Sequence, residues 1–409
     1  MTASAIDTLD LYAGPGGWSV AAAALGLREV GIELDPWACA TRTAAGHLTV
    51  RADVSTLDVA RMAGRVRGLI GSPPCGPFSA AGKGEGVDDM PLIHRALDDL
   101  AAGRDTRAQL AAACSDPRTP LVVEPLRYAL AIRPEWIALE QVPAVLPLWR
   151  HMARILRAVG YSAWAGILNA ADYGVPQTRQ RAILIASRLR AVTPPEPTHA
   201  KAAEPESLFG PGRRRWVSMA EALGWGATDR PVPTVTAGGG NTGGAEPFPT
   251  RAREILAAER DRGAWSARMY VDLGAGGFAK GYERGIEEPS PTIRLQTQSW
   301  VLRNGTQANA CARPLDQPAG TLFFGHPGHV VALVPEEQGS GGPDPVRITV
   351  QEAAILQSFD ADYPWQGTKT KRFEQVGNAV PPLLALHVLS AATGIPLAAC
   401  DPAPEAMAA

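Results

Sequence analysis

The chain has 409 residues, 45% of them hydrophobic and 20% charged, the composition of a folded globular protein with room for two domains. Its 39 lysines and arginines against 41 aspartates and glutamates give a net charge of −2, so no global electrostatic footprint for nucleic acid exists and any such contact must be local. No apolar run reaches membrane length, residues 1–7 have neither a basic n-region nor an apolar h-region, and Cys39, Cys75, Cys114, Cys311 and Cys400 stand singly; a membrane span, a disulfide scaffold and a zinc site are therefore not expected, and a cytoplasmic location is.

The first predicted element is a strand over residues 5–12, which runs into Ala13-Gly14-Pro15-Gly16-Gly17 and then a helix over 18–25 that stops at Gly26. Strand, glycine turn and helix make the entry of a doubly wound nucleotide-binding fold, where backbone comes close to a ligand and a helix N-terminus faces it. Ser19 occupies the last position of the dinucleotide fingerprint, which weakens NAD and leaves other adenosine cofactors open. A second strand over 29–32 ends at Glu33, whose carboxylate can accept both ribose hydroxyls. Asp53 follows a short run over 48–52 and is placed to hold the exocyclic amine of an adenine, although a loop aspartate can equally cap a turn.

The chain is organised around Gly71-Ser72-Pro73-Pro74-Cys75-Gly76-Pro77-Phe78-Ser79, which follows an apolar run over 66–70 that reads as a buried strand. Three prolines fix three φ angles and remove three donors, a stiff frame that suits a nucleophile better than a packing residue. The alternative is a small buried hydrophobe in a turn. Beyond it, Ala80-Ala81-Gly82-Lys83-Gly84-Glu85-Gly86 has the flexibility of a lid, with helices expected over 92–102 and 106–113. Farther on, an apolar strand carries Glu140, and Arg179 and Arg181 stand two apart, so an extended segment points both to one face.

Residues 190–346 differ in character. Proline-rich stretches at 193–206 and a glycine-rich stretch at 339–343 read as hinges. Between them, segments starting at Pro231, Pro289 and Pro318 share a Pro-x-Pro/Gly-Thr-aliphatic pattern, read as repeated turn-to-strand units of a small, mostly β domain. Arg213, Arg214, Arg215, Arg251 and Arg253 are candidate phosphate contacts. The C-terminal block enters an apolar helix over 383–392, and the tail from Asp401 is expected to be disordered.

The order Asp10-Leu11-Tyr12-Ala13-Gly14-Pro15-Gly16-Gly17, Glu33, Asp53 and Pro73-Pro74-Cys75 resembles the DNA cytosine-5 methyltransferases, which use S-adenosylmethionine. Leu139-Glu140-Gln141-Val142, Gln177-Thr178-Arg179-Gln180-Arg181, the segment 347–359 and Gln375-Val376-Gly377-Asn378-Ala379-Val380-Pro381 are similar to later motifs of that family, in its order; residues 5–189 and 347–392 are covered. The resemblance implies an α/β, Rossmann-like S-adenosylmethionine-dependent catalytic domain at 1–189, a smaller, mostly β target-recognition domain at 190–346, and a segment 347–400 returning to the first. It implies Cys75 as nucleophile on cytosine C6, Glu140 at N3, and Arg179 and Arg181, chiefly the latter, at O2. For the cofactor it implies Tyr12, Gly14, Gly16, Gly17, Glu33, Leu34, Asp53, Val54, Pro74, Asn378 and Val380. The expected partner is double-stranded DNA, with a cognate restriction endonuclease encoded elsewhere and a monomeric enzyme; an RNA cytosine methyltransferase and a non-catalytic DNA-binding relative are the alternatives. Two departures from the family pattern stand out. Gln141 replaces Asn, and Gly76 replaces a frequent Gln, which is expected to leave space beside the nucleophile.

Overall fold

The computed structural model describes residues 6–79, 85–207, 211–223, 300–304, 311–314, 317–320, 331–335, 346–347 and 349–397. Most of the expected lid, the repeats starting at Pro231 and Pro289, Arg251, Arg253, the 339–343 hinge and the tail lie outside them.

The chain divides into two compact units, Met1–Val217 with Pro318–Pro327 and Val350–Ala409, and Ser218–Gln317 with Gly328–Thr349. The first unit contains a seven-stranded sheet. Its strands are β1 (Thr8–Leu11), β2 (Glu29–Glu33), β3 (Leu48–Arg51), β4 (Gly68–Gly71), β5 (Trp136–Gln141), β6 (Ser162–Asn169) and, after the two-residue β7 (Gln177–Thr178), β8 (Gln180–Ser187). The order is β3-β2-β1-β4-β5-β8-β6; β1 to β5 are parallel and β8 runs antiparallel to both its neighbours.

Period-2 alternation sends the strands' side chains to two cores, as expected for a sheet covered on both faces. Leu9, Leu11, Leu69, Ile137, Leu139, Ala182 and Leu184 join one; Ile70, Trp136, Ala138, Ile183 and Ile185 join the other. The helices are α1 (Gly17–Ala24), α2 (Pro36–Ala44), the single-turn α3 (Glu85–Asp88), α4 (Met90–Ala101), α5 (Arg107–Ala113), α6 (Glu124–Ile132) and α7 (Leu146–Ala158). Residues of α4, α6 and α7 fill the first core, and residues of α1 the second.

Chain order reverses at β1, whose neighbours β2 and β4 lead in opposite directions across the sheet. In open α/β sheets ligands bind at the carboxyl ends of the strands beside such a point. The loops holding Gly14, Glu33, Asp53 and Cys75, and the end of β5 with Glu140, all lie at that edge. Because β8 is reversed, its first residues, Gln180 and Arg181, reach the same edge.

Residues 190–217 belong to the first unit, 28 residues past the expected boundary, and the proline-rich stretch there contains β9 (His199–Ala200), paired with β10 (Arg214–Arg215). Pro318 also belongs to it: β13 (Ala319–Gly320) pairs in parallel with β7, so the third copy of the proline pattern is not part of the second unit. Within the second unit lie α8 (Met219–Ala222) and a four-stranded sheet, β12-β11-β14-β15, formed by β11 (Trp300–Asn304), β12 (Cys311–Pro314), β14 (Val331–Pro335) and β15 (Val346–Arg347).

The chain then returns to the first unit as α9 (Val350–Leu356), α10 (Lys369–Asn378) and α11 (Pro382–Thr393). Leu384, Ala385, Val388 and Leu389 of α11 fill the second core. Contrary to expectation, one stretch, Lys369–Thr393, is long and apolar enough for a membrane span; its most apolar window is 61% buried inside the protein. A break between α10 and α11 at Ala379, Val380 and Pro381 also marks it as core structure.

Candidate active site

The glycine loop is built from strained backbone. Tyr12 adopts a left-handed conformation at φ 59°, unusual for a side chain of its size, and Gly14 and Gly16 follow at φ 55° and 111°. The Tyr12 hydroxyl donates to the Leu121 carbonyl at 3.2 Å, which anchors the ring. A Cβ on Gly17 would lie 2.0 Å from the Val380 carbonyl oxygen, so glycine is what lets α1 start against the returning C-terminal chain. Buried Arg42 braces the loop from below: it pairs with Glu29 at 2.8 Å and donates to Ser19 at 2.7 Å and the Ala13 carbonyl at 3.4 Å.

Glu33 Oε2 accepts from the Gly14 amide at 2.8 Å, and Oε1 accepts from Leu34 and Asp35 at 2.7 and 2.8 Å. The expected ribose acceptor is thus also the clamp that fixes the loop. Asp53 Oδ1 accepts from the Ser55 amide and hydroxyl at 2.9 and 2.7 Å, so it does cap a turn, with Val54 buried beside it. Leu34 is exposed, as is Asn378 at the end of α10, whereas Val380 is buried. A Cβ at Gly14 would meet only the Tyr12 carbonyl, at 4.0 Å, so space lies open ahead of the loop. An open cradle of backbone with acids at the ends of two adjacent strands fits a nucleoside-bearing ligand.

Cys75 follows β4 and caps a single 3-10 turn, with the Phe78 amide donating to its carbonyl at 3.0 Å. Two contacts fix the loop: Trp18 Nε1 donates to Ser72 Oγ at 2.9 Å, and Gln141 Nε2 donates to the Pro73 carbonyl at 2.7 Å. Gln141 Oε1 accepts from the Val142 amide at 2.6 Å, so the longer amide ties the end of β5 to the cysteine loop.

Glu140 and Arg181 form a buried ion pair, Oε1 to Nε 2.8 Å. Arg179, wholly buried, donates from Nη1 to the Gly377 carbonyl at 2.9 Å, binding the returning chain to the start of β8. Burial and the neighbouring Arg181 pull its guanidinium down to about 9. Burial pushes the Cys75 thiol up and Glu140 pushes it further; Arg181 and Arg179 pull the other way. Cys75, Glu140 and both arginines therefore form one electrostatic unit.

The space expected beside Gly76 is filled. A Cβ there would lie 2.8 Å from Nη1 of Arg118, whose guanidinium pairs with Asp116 at 2.6 Å. Sequence reasoning missed Arg118, and no spacing signal links it to Cys75. Beyond the proline-rich stretch, Arg214 and Arg215 are exposed on β10, while Arg213 pairs with Glu204 at 2.6 Å.

The chain matches the profile of the C-5 cytosine-specific DNA methylases over residues 6–91, 108–209 and 295–393. It is 26% identical over 418 residues to the type II methyltransferase M.DdeI of Desulfomicrobium norvegicum, covering 93% of this chain and 86% of that one. With the type II methyltransferase M1.HphI of Haemophilus parahaemolyticus it shares 25% identity over 94% and 85% of the two chains. Its fold is similar to that of the S. pombe Dnmt2 methyltransferase, with a TM-score of 0.51 at 13% identity and coverage of 96% and 99%. A profile that spans most of the chain and holds the cysteine loop, the Glu140 strand and the Arg181 strand in one frame assigns this protein to the C-5 cytosine-specific DNA methylase family.

Proposed function

We propose that the protein uses S-adenosylmethionine to methylate cytosine C5 in a specific duplex DNA sequence, with Cys75 as the covalent nucleophile. The observation that carries this reading is the convergence of Cys75 and the 2.8 Å Glu140–Arg181 pair at the strand edge that also holds the glycine loop. When bound, the cofactor would supply an electrophilic methyl group on a sulfonium. Glu33 would hold the ribose hydroxyls, Asp53 the adenine amine, and the backbone of Gly14, Gly16 and Gly17 the amino-acid end. Tyr12, Leu34, Val54, Pro74, Asn378 and Val380 would complete the walls.

Cytosine C5 is a weak nucleophile, so the ring must first be activated. The Cys75 thiolate adds to C6 of a base flipped out of the duplex, forming the Sγ–C6 bond and moving the C5–C6 electron pair toward C5. Glu140 shares a proton at N3 as charge builds there. Arg181 orients Glu140 and offers its remaining N–H groups to O2. Methyl transfer to C5 would leave the cofactor as a neutral thioether; water then takes the C5 proton, the C5–C6 double bond re-forms as the Sγ–C6 bond breaks, and Cys75 returns as thiolate.

In this reading the second unit supplies target recognition, the protein acts as a monomer, and its site is one that a companion restriction endonuclease would cut. The test is transfer of label from methyl-labelled S-adenosylmethionine to DNA and to RNA, with bisulfite sequencing of the DNA product. The expected result is label in duplex DNA at cytosines of one sequence context. Label confined to RNA, or none in either, contradicts the proposal.

A further inference from the structure

The stretch that begins at Asp53 has its carbonyl groups held by side chains from a different part of the chain. Arg127 of α6 donates from Nη2 to the Val54 carbonyl at 3.0 Å and from Nη1 to the Leu57 carbonyl at 3.3 Å. Tyr128 adds its hydroxyl to the Val54 carbonyl at 2.7 Å, and Arg107 of α5 donates to the Ser55 carbonyl at 3.1 Å. Both arginines converge on one carboxylate: Glu124 accepts from Arg107 Nη1 at 2.8 Å and from Arg127 Nε at 2.6 Å.

Glu124 is 2% exposed. A carboxylate buried this deeply is stable only with charged partners, and both partners also hold carbonyls of one loop, Arg127 through Nη1 and Nη2 and Arg107 through Nη1. Asp105 fixes the far side of Arg107, at 2.7 Å, and Arg127 lies over the Tyr128 ring, 4.7 Å from its centroid. Neither Glu124 nor its arginines touch Cys75, Glu140 or Arg181 in any of these bonds.

We infer that Glu124, acting through Arg107, Arg127 and Tyr128, is a positioning residue for the adenine end of the cofactor: it sets the shape of the Asp53–Leu57 loop that presents Asp53 and Val54. The inference rests on the cofactor reading above. Since the brace touches only the adenine side, its loss should weaken cofactor binding and leave the chemical step alone.

The test is calorimetric titration of S-adenosylmethionine into wild type, Glu124→Gln, Arg127→Lys and Tyr128→Phe, with kcat at saturating cofactor and hydrogen exchange of residues 53–57. Glu124→Gln loses one acceptor and puts an amide N–H against a guanidinium, and its Kd should rise about tenfold. Lysine keeps the charge at 127 but cannot span both carbonyls, so its effect should fall between those of Glu124→Gln and Tyr128→Phe. Tyr128→Phe removes a single bond and should raise Kd about threefold. In each, kcat should stay within about twofold and exchange should quicken in 53–57 but not in β5. An unchanged Kd in folded Glu124→Gln, or a fall in kcat without a change in Kd, overturns the inference; if that variant does not fold, an unchanged Kd in Tyr128→Phe does so. Absence of binding by wild type would instead overturn the cofactor reading, and this inference with it.

Discussion

Burial and the negative charge of Glu140 both favour the neutral form of the Cys75 thiol, against the opposing pull of Arg181 and Arg179. The thiol therefore ionises above its ordinary range, and its alkylation by iodoacetamide should still be accelerating with pH above about 8.5, where an ordinary thiol is half ionised. Glu140→Gln removes the negative charge and leaves Arg181 without its partner, and both changes favour thiolate. The alkylation profile of that variant should shift to lower pH, with Cys75→Ser as the blank. An unmoved profile, or one moved upward, would show that the two side chains are not coupled. The placement of Cys75 after a strand was legible because flanking prolines are a local signal, that of Glu33 because it ends β2, and that of Asp53 because it follows β3 by two residues. Their bonds to the Gly14 and Ser55 amides were less so, since those depend on how the turn closes. The guanidinium beside Gly76 comes from Arg118, beyond the reach of any local pattern.

Backbone meets backbone closely where α1 starts against the segment joining α10 and α11. The Cβ of alanine at 17 would lie 2.0 Å from the Val380 carbonyl oxygen and 3.1 Å from its carbon, and backbone cannot give way as a side-chain tip can. Gly17→Ala should cost about 3 kcal/mol or more in urea unfolding. Gly26→Ala is the control: its φ is 72° with no atom within 4 Å, so only the backbone penalty of about 1 to 2 kcal/mol applies. Equal losses would mean that the α1 contact is not tight. Strands β1 to β5 and helices α1, α4, α5 and α11 were readable to within a few residues because apolar runs and proline or glycine punctuation are local; β6 was not read. Insertion of β8 between β5 and β6 was not, because pairing partners far apart in sequence leave no periodic trace.

At the scale of the whole molecule, folding buries neutral histidines that would be charged in the open chain. His387 of α11 packs on Tyr173, ring centroids 5.0 Å apart; burial, His199 and Arg214 push it from 6.5 down to about 4. His47, half-buried near Arg42, falls to about 4 as well, through its partial burial and that guanidinium. Between these values the unfolded chain binds protons that the native state does not, so stability falls as pH drops from about 6.5 toward about 4. Tm should decline across that window, and less steeply in His387→Gln; parallel curves would remove His387 as a cause. The discontinuity of the first unit was legible from the motif order. Its extension to Val217 and its use of Pro318–Pro327 were not, since both depend on short strand pairings that leave no compositional mark.

If Cys75 adds to cytosine C6 on the way to methylation at C5, the adduct can be trapped. With S-adenosylmethionine and duplex DNA in which 5-fluorocytosine replaces cytosine, fluorine cannot leave as the C5 proton does, and the Sγ–C6 bond should persist. The wild-type protein should then migrate with DNA through denaturing electrophoresis, with the cross-link mapped to Cys75 by mass spectrometry, and Cys75→Ser should not. A trapped complex in Cys75→Ser, or active wild-type enzyme that forms none, would mean that Cys75 is not the covalent nucleophile.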